Sequence, residues 1–172
     1  MRRFLLACVA LIVASPLAAT ELNLTLQIPE QKAAEYHRPY TAIWIERAAD
    51  HSVVAQLAAW YAQKGSKEGA GSKWLPDLRQ WWRRGGRDLS LPVDGVSGAT
   101  RPAGQYQLKF VDGQAPLGTL VAGDYVLVVE AVREVGGREL VRLPFRWPVA
   151  ATQHLGGHGS TELGAVSLDI NP

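Results

Sequence analysis

The 172-residue sequence carries 18 Lys and Arg against 16 Asp and Glu, with a single cysteine, Cys8. Arg2 and Arg3 make up the whole basic excess, so the remainder offers no sequence-wide positive field for nucleic acid or an anionic membrane. Loss of the N-terminal segment would also remove Cys8, and with it any disulfide, thiolate or Cys–metal chemistry.

Arg2-Arg3, the apolar run from Phe4 to Ala14 and the small residues of Ser15-Pro16-Leu17-Ala18-Ala19 predict a cleaved export signal over 1–19. The run is too short to span a membrane. Leu5-Leu6-Ala7-Cys8 superficially fits a lipobox, but the apolar run continues past Cys8, which argues against lipidation there. The mature part, 20–172, is expected in the periplasm as a single domain. At about 150 residues it can bury a sufficient core without cross-links.

Leu22, Leu24, Leu26 and Ile28 alternate with polar residues, the pattern of a strand with one buried face. Tyr40 to Ile45 is apolar on both faces and predicts a strand covered on both sides. Val53 to Tyr61 fits both the two-residue and the 3.6-residue period; its β-branched pair and aromatics favour a strand. Lys64 to Lys73 reads as a loop. Trp74, Leu75, Leu78, Trp81 and Trp82 then form a one-sided helical stripe, with Ser72 as N-cap and Gly85-Gly86 as the stop, which predicts a helix over about 72–86. Strands resume at Tyr106–Phe110, Tyr125–Val129 (apolar on both faces), Leu140–Trp147 and Gly164–Ile170, with a hairpin signal at Gly136-Gly137. About seven short strands, one helix and no βαβ alternation predict a mainly β fold, an antiparallel immunoglobulin-like sandwich with one helical insertion.

The densest collection of small residues, acid and hydroxyls is Asp94-Gly95-Val96-Ser97-Gly98-Ala99-Thr100, followed by Arg101. On composition such a stretch is either a capped polar turn or a place where a bulky group can approach the backbone. An Asp-Gly-x-Ser/Thr-Gly-Ala-Ser/Thr string arises by chance in roughly one chain of this length in ten thousand. The string resembles the flavinylation motif of bacterial FMN-binding subunits, best known from the sodium-pumping quinone reductase and related ion-pumping redox complexes. In those, a flavin transferase splits FAD and joins FMN to the final Thr or Ser through a phosphoester. The resemblance implies Thr100 as the attachment point, Asp94 as the acid read by the transferase, and Ser97, Gly98 and Ala99 as the close surround. Arg101 is expected to neutralise the phosphate, or else to be a solvated charge. The Trp81-Trp82 helix or Tyr106 could offer the flavin ring a face, although the apolar stripe suits a core better than a cofactor box.

The stretches from His37 to Glu46, from Lys73 to Trp82 and from Tyr125 to Phe145 resemble a family of exported bacterial proteins known only as a domain of unknown function. Its members are often encoded beside flavin transferases and membrane-bound reductase-like proteins. The resemblance implies a periplasmic electron carrier with covalent FMN, not an enzyme in its own right. Its partners would be a flavin transferase and a membrane-bound or periplasmic redox protein, with no nucleic acid. The alternative is a cofactor-free adaptor of a membrane redox complex.

Other chemistry has less behind it. His154 and His158 have His-x3-His spacing, but Gly156, Gly157 and Gly159 argue against the helix that would bring them together. His37 and His51 are isolated in the sequence and expected at the surface. Ser97 lacks a nucleophile-elbow context for hydrolysis. Asp112, Asp124 and Glu130 are expected in solvated turns and strand edges. Arg133-Glu134 and Arg138-Glu139 flank a hairpin, where cross-strand charge pairing is expected.

Overall fold

The alternation at the start of the mature sequence becomes the first strand, β1 (Glu21–Ile28), whose Leu22, Leu24, Leu26 and Ile28 are buried. These features come from a computed structural model that describes residues 19–32, 35–64 and 69–172. The expected signal segment therefore lies outside the described residues, apart from Ala19 itself.

Eight further strands follow, β2 (Tyr40–Arg47), β3 (Val53–Tyr61), β4 (Ser97–Ala99), β5 (Gly104–Val111), β6 (Gly123–Val132), β7 (Arg138–Trp147), β8 (Gln153–His158) and β9 (Ala165–Asn171). They form two sheets, ordered β5-β1-β9-β8 and β4-β3-β2-β6-β7. In the first sheet Leu22 sits between Phe110 and Ile170, and Leu24 between Leu108 and Leu168. These rows pack against Ile43, Ile45, Leu127, Val129 and Leu143 of the second sheet to make the main core. The fold is thus the mainly β sandwich expected, with one parallel pairing, β3 with β4, among antiparallel neighbours. Among the described residues nine strands replace the expected seven or so. β4 and β8 are the additions.

β2 and β6 are apolar on both faces because each is covered twice. Their outward residues Ala42, Trp44 and Val128 pack with Leu75, Leu78 and Trp81 of the helical insertion in a second core. The insertion is not one helix. A 3-10 segment, Gly71–Asp77, precedes a five-residue α-helix, α1 (Arg79–Arg83), and a further short 3-10 turn, Gly86–Asp88. Pro76 lies inside the first segment, and Leu78 leaves helical geometry at ψ 69°. Pro76 lacks the N–H that a regular α-helix through this segment would need, and the run breaks two residues later, at Leu78. Ser72 caps nothing; no side-chain cap precedes either of the first two segments.

The cap of α1 comes from the sheet. Glu130 on β6 accepts hydrogen bonds from the backbone N–H of Gln80 (3.1 Å) and Trp81 (2.7 Å), and from Arg138 (3.0 Å). It is fully buried, against the expectation of a solvated strand edge, because the helical layer closes over β6. Glu46 is buried on the same face, bonded to Trp44 Nε1 (3.0 Å), Arg142 (2.7 Å) and His51 Nδ1 (2.8 Å). Burial pushes the Glu46 carboxyl up, and the hydrogen bonds of Trp44, Arg142 and His51 more than offset it, leaving the pKa below its ordinary value. His51, half exposed, is therefore not isolated.

Of the charges around the β6–β7 hairpin, Arg138 makes the expected cross-strand pair, with Glu130 on β6, whereas Arg133 and Glu139 bond outside the hairpin. Arg133 makes a two-pronged contact with buried Glu162, at 2.9 and 3.1 Å. Glu139 accepts from the backbone N–H of Ser160, Thr161 and Leu163 and from the Ser160 hydroxyl. Burial raises the Glu139 carboxyl, but these four donors together bring it down to about 2. A depressed carboxylate stabilises the fold above its unfolded pKa of about 4.3 and ceases to do so as pH falls through the folded value. Glu139→Gln is accordingly expected to lower stability by about 1–2 kcal/mol at pH 7, after discounting for partial exposure. In urea unfolding the gap to wild type should narrow below about pH 4; a gap constant down to pH 2.5 would show that charge plays no part.

Candidate functional site

The Asp94–Thr100 string forms a turn that runs straight into an edge strand. The N–H of Val96 and of Ser97 both donate to the Val93 carbonyl, at 3.2 and 2.8 Å. Gly95 makes this reversal at φ +69°, a conformation that side chains rarely adopt. Asp94, exposed, accepts from the Gly95 N–H through Oδ1 at 3.0 Å, and the Ser97 hydroxyl accepts from the Val93 N–H at 2.9 Å. Val96 is buried in the second core and anchors the turn. Ser97, Gly98 and Ala99 then pair with Ala59, Trp60 and Tyr61 of β3. A Cβ on Gly98 would lie 3.0 Å from the Trp60 ring, so this position has room for little beyond hydrogen. The string is therefore held more firmly than an open loop, with Ala99 exposed on its edge.

Thr100 follows directly and is half-buried. Its N–H donates to the Tyr61 carbonyl at 3.3 Å, and the residue contributes to the wall of a pocket of about 780 Å³. The sheet builds this pocket. Tyr40 pairs with Val132, Thr41 with Trp60, and Tyr61 with Ala99, so β2 begins where β3, β4 and β6 end. The segment before β2, the start of the helical layer and the β6–β7 turn all converge there, bringing Tyr36, Arg38, Tyr40, Trp74 and Val135 to the same pocket as Thr100. Tyr40 donates to the Gly71 carbonyl at 3.0 Å and ties the helical layer to the pocket floor. Burial raises its phenol above the ordinary value, opposed by the nearby Ala62 backbone and helped by the charges of Glu134 and Asp77.

The polar lining is uneven. His37 lies 3.4 Å from Glu134 and 3.2 Å from Glu35, so it too is not isolated. Arg133 is tied to Glu162. Arg38 has no carboxylate partner among the described residues and is exposed. Val135 is 82% exposed and sits at φ +53° on the turn. A β-branched residue in this region is a backbone outlier, of the kind that concentrates at functional sites.

Sequence reasoning found the string but mostly not its surroundings. Arg101 lies outside the pocket lining, with its guanidinium 4.3 Å from the Trp60 ring and 4.9 Å from that of Tyr106. These contacts clamp the chain just beyond Thr100. Trp81 is fully buried, donates through Nε1 to Gln56 and cannot present a face to a ligand. Tyr106 packs edge-on to Trp60. Ser97 spends its hydroxyl on the turn. His154 and His158 stand four residues apart on edge strand β8; the first contacts Asp169 at 2.7 Å and the second the Gly159 carbonyl.

A two-sheet β-sandwich with a helical third layer, and a pocket where that layer meets the sheet edge, is the class of molecule described so far. The family described as "Predicted periplasmic protein (DUF2271)" matches residues 21–165, and the chain belongs to that family. Its compartment is accordingly the periplasm. No curated protein and no solved structure matches the chain. Among the described residues no helix is long and apolar enough to cross a membrane.

Proposed function

We propose that this protein is a periplasmic carrier of covalently bound FMN, joined to Thr100 and serving extracytoplasmic electron transfer. One observation carries the reading. The final hydroxyl residue of a flavinylation-like string lines a pocket roomy enough for a planar cofactor, about 780 Å³. In the attachment step Thr100 Oγ1 attacks the FMN-side phosphorus of FAD, the pyrophosphate P–O bond breaks, and AMP leaves. The hydroxyl proton passes to a base of the flavin transferase, since a threonine hydroxyl is no nucleophile unaided.

The residues around Thr100 suit that step. Asp94 is exposed on the turn, where a transferase can read it. Ala99, exposed on the edge, keeps the approach free of bulk, Gly98 lets β4 lie close against Trp60, and the β3 pairing holds Thr100 in place. Arg101, engaged with Trp60 and Tyr106, fixes the chain beyond the attachment point, and the cations in the pocket lining without a carboxylate partner among the described residues are Arg38 and Lys64. Once attached, the flavin supplies the electron chemistry, and the protein supplies position and surroundings. A redox partner would deliver electrons and a second one remove them.

Exposed Val135 at the pocket rim also suits a cofactor-free adaptor that docks another protein. One measurement separates the two. Co-expression with a flavin transferase in the periplasm, followed by intact mass and absorbance of the denatured protein, is expected to give a mass gain of one FMN and a flavin spectrum. An unmodified, colourless product would sink the carrier reading.

A further inference from the structure

We infer that the pocket beside Thr100 is itself a reversible flavin-binding site, which grips the isoalloxazine with Trp74 and Tyr36 and the phosphate with Arg38, whether or not the covalent bond is made. The choice of ligand rests on the carrier reading above; the binding itself does not depend on attachment.

The distribution of exposed apolar side chains is the first argument. Four large hydrophobic residues stand out as exposed among the described residues, Tyr36, Trp74, Val121 and Val135, and all but Val121 line this one pocket. Scattered exposure needs no explanation, but exposure gathered around a concavity marks a binding surface. Tyr36 and Trp74 are each 39% exposed, so both keep ring surface to offer. Trp74 also carries the Lys73 ammonium at 4.8 Å from its ring centre, which restrains the indole.

Charge is the second. A flavin mononucleotide has an apolar aromatic ring, a hydroxylated ribityl chain and a phosphate dianion. Arg38 and Lys64, both in the lining and neither with a carboxylate partner among the described residues, supply cations for the dianion, and the Arg38 guanidinium can meet it with two N–H donors. Asp77 and Glu134, also in the lining, offer acceptors to the ribityl hydroxyls and the ring imide N–H. The volume, about 780 Å³, sits within the usual span for small-molecule sites of about 300–1,000 Å³. A simple anion would leave the aromatic walls unused, and an apolar ligand would leave Arg38 unused.

The test uses protein purified from the periplasm in the Thr100→Ala form, made without a transferase, so that covalent attachment cannot contribute. FMN and riboflavin are titrated separately, with flavin fluorescence as the signal. Saturable quenching by both is expected. Trp74→Ala should weaken both at least tenfold, and Arg38→Ala should weaken FMN while leaving riboflavin within about twofold. Trp74 is partly exposed, so its loss leaves the core intact, and an unchanged melting temperature of each variant excludes a folding failure. Tyr36→Ala provides a second, independent loss. Absence of saturable binding up to millimolar flavin, or binding indifferent to both Trp74 and Tyr36, overturns the inference. Attachment and binding fail separately: a mass gain without reversible binding leaves the carrier reading standing, and reversible binding without a mass gain does the reverse.

Discussion

Thr100→Ala should abolish the mass gain completely, and Thr100→Ser should restore it. The contrast is informative because alanine disturbs little else. The backbone N–H of Thr100 donates to the Tyr61 carbonyl whatever the side chain. The side chain is half-buried at a pocket wall, so a change of under about 1 kcal/mol is expected in stability. The missing flavin would then report lost chemistry and not lost folding. Ser97→Ala is the matching control. Ser97 also carries a hydroxyl within the string, but it accepts from the Val93 N–H inside the turn. Its removal should cost about 1 kcal/mol and leave attachment intact. If Ser97→Ala abolishes the mass gain while Thr100→Ala keeps it, the attachment point has been misassigned.

The parts of the fold readable from the sequence were those where one local period decides. β1 alternates strictly, and its leucines fall into the main core. β2 and β6 are apolar on both faces and are covered on both, by the opposite sheet and by the helical layer. β8 carried no such signal. Its Gly156-Gly157 pair reads as a breaker, yet a Cβ on Gly157 would lie 2.7 Å from Val141, so close contact with β7 has more say there than propensity. β4 is three residues long and exists as a partner for β3. The helical insertion lies where the stripe predicts it but as three short segments; Leu75, Leu78 and Trp81 keep to the buried face across the break at Leu78, while Trp74 turns out to the pocket.

The site divides in the same way. Its string is contiguous and was legible, from Asp94 to Thr100. The surrounding pocket draws Tyr36 and Arg38 from before β2, Trp74 from the insertion and Val135 from a turn. Strand pairing and the packing of the insertion on the sheet, with the Tyr40–Gly71 hydrogen bond, bring these segments together, and no spacing in the sequence announces it. Arg101 lay next to Thr100 in the chain and was an obvious phosphate partner. Two aromatic rings had a stronger hold on it.

Glu130→Ala is expected to lower stability by about 3–4 kcal/mol, a substantial part of the 5–15 kcal/mol that holds a typical domain together. Three donors converge on this carboxylate. The Gln80 N–H and Arg138 reach Oε1, and the Trp81 N–H reaches Oε2. Alanine leaves both backbone groups without a partner, and the Trp81 N–H is buried. α1 is too short for its dipole to matter much, so the energy lies in these specific bonds and in desolvation. Glu130→Gln should not rescue it fully. A glutamine has one oxygen for the three donors and turns an NH2 toward at least one of them, which is expected to cost about 2 kcal/mol. Arg138→Ala should cost less, about 1 kcal/mol, because the arginine side chain is 38% exposed and water can take its place. Because Glu130 fastens the helical layer to β6, its loss should also blur the near-ultraviolet circular dichroism of Trp81 before the sandwich melts. A Glu130→Ala protein within about 0.5 kcal/mol of wild type would mean that apolar contacts among Trp44, Leu78 and Trp81 hold that layer in place without help from the carboxylate.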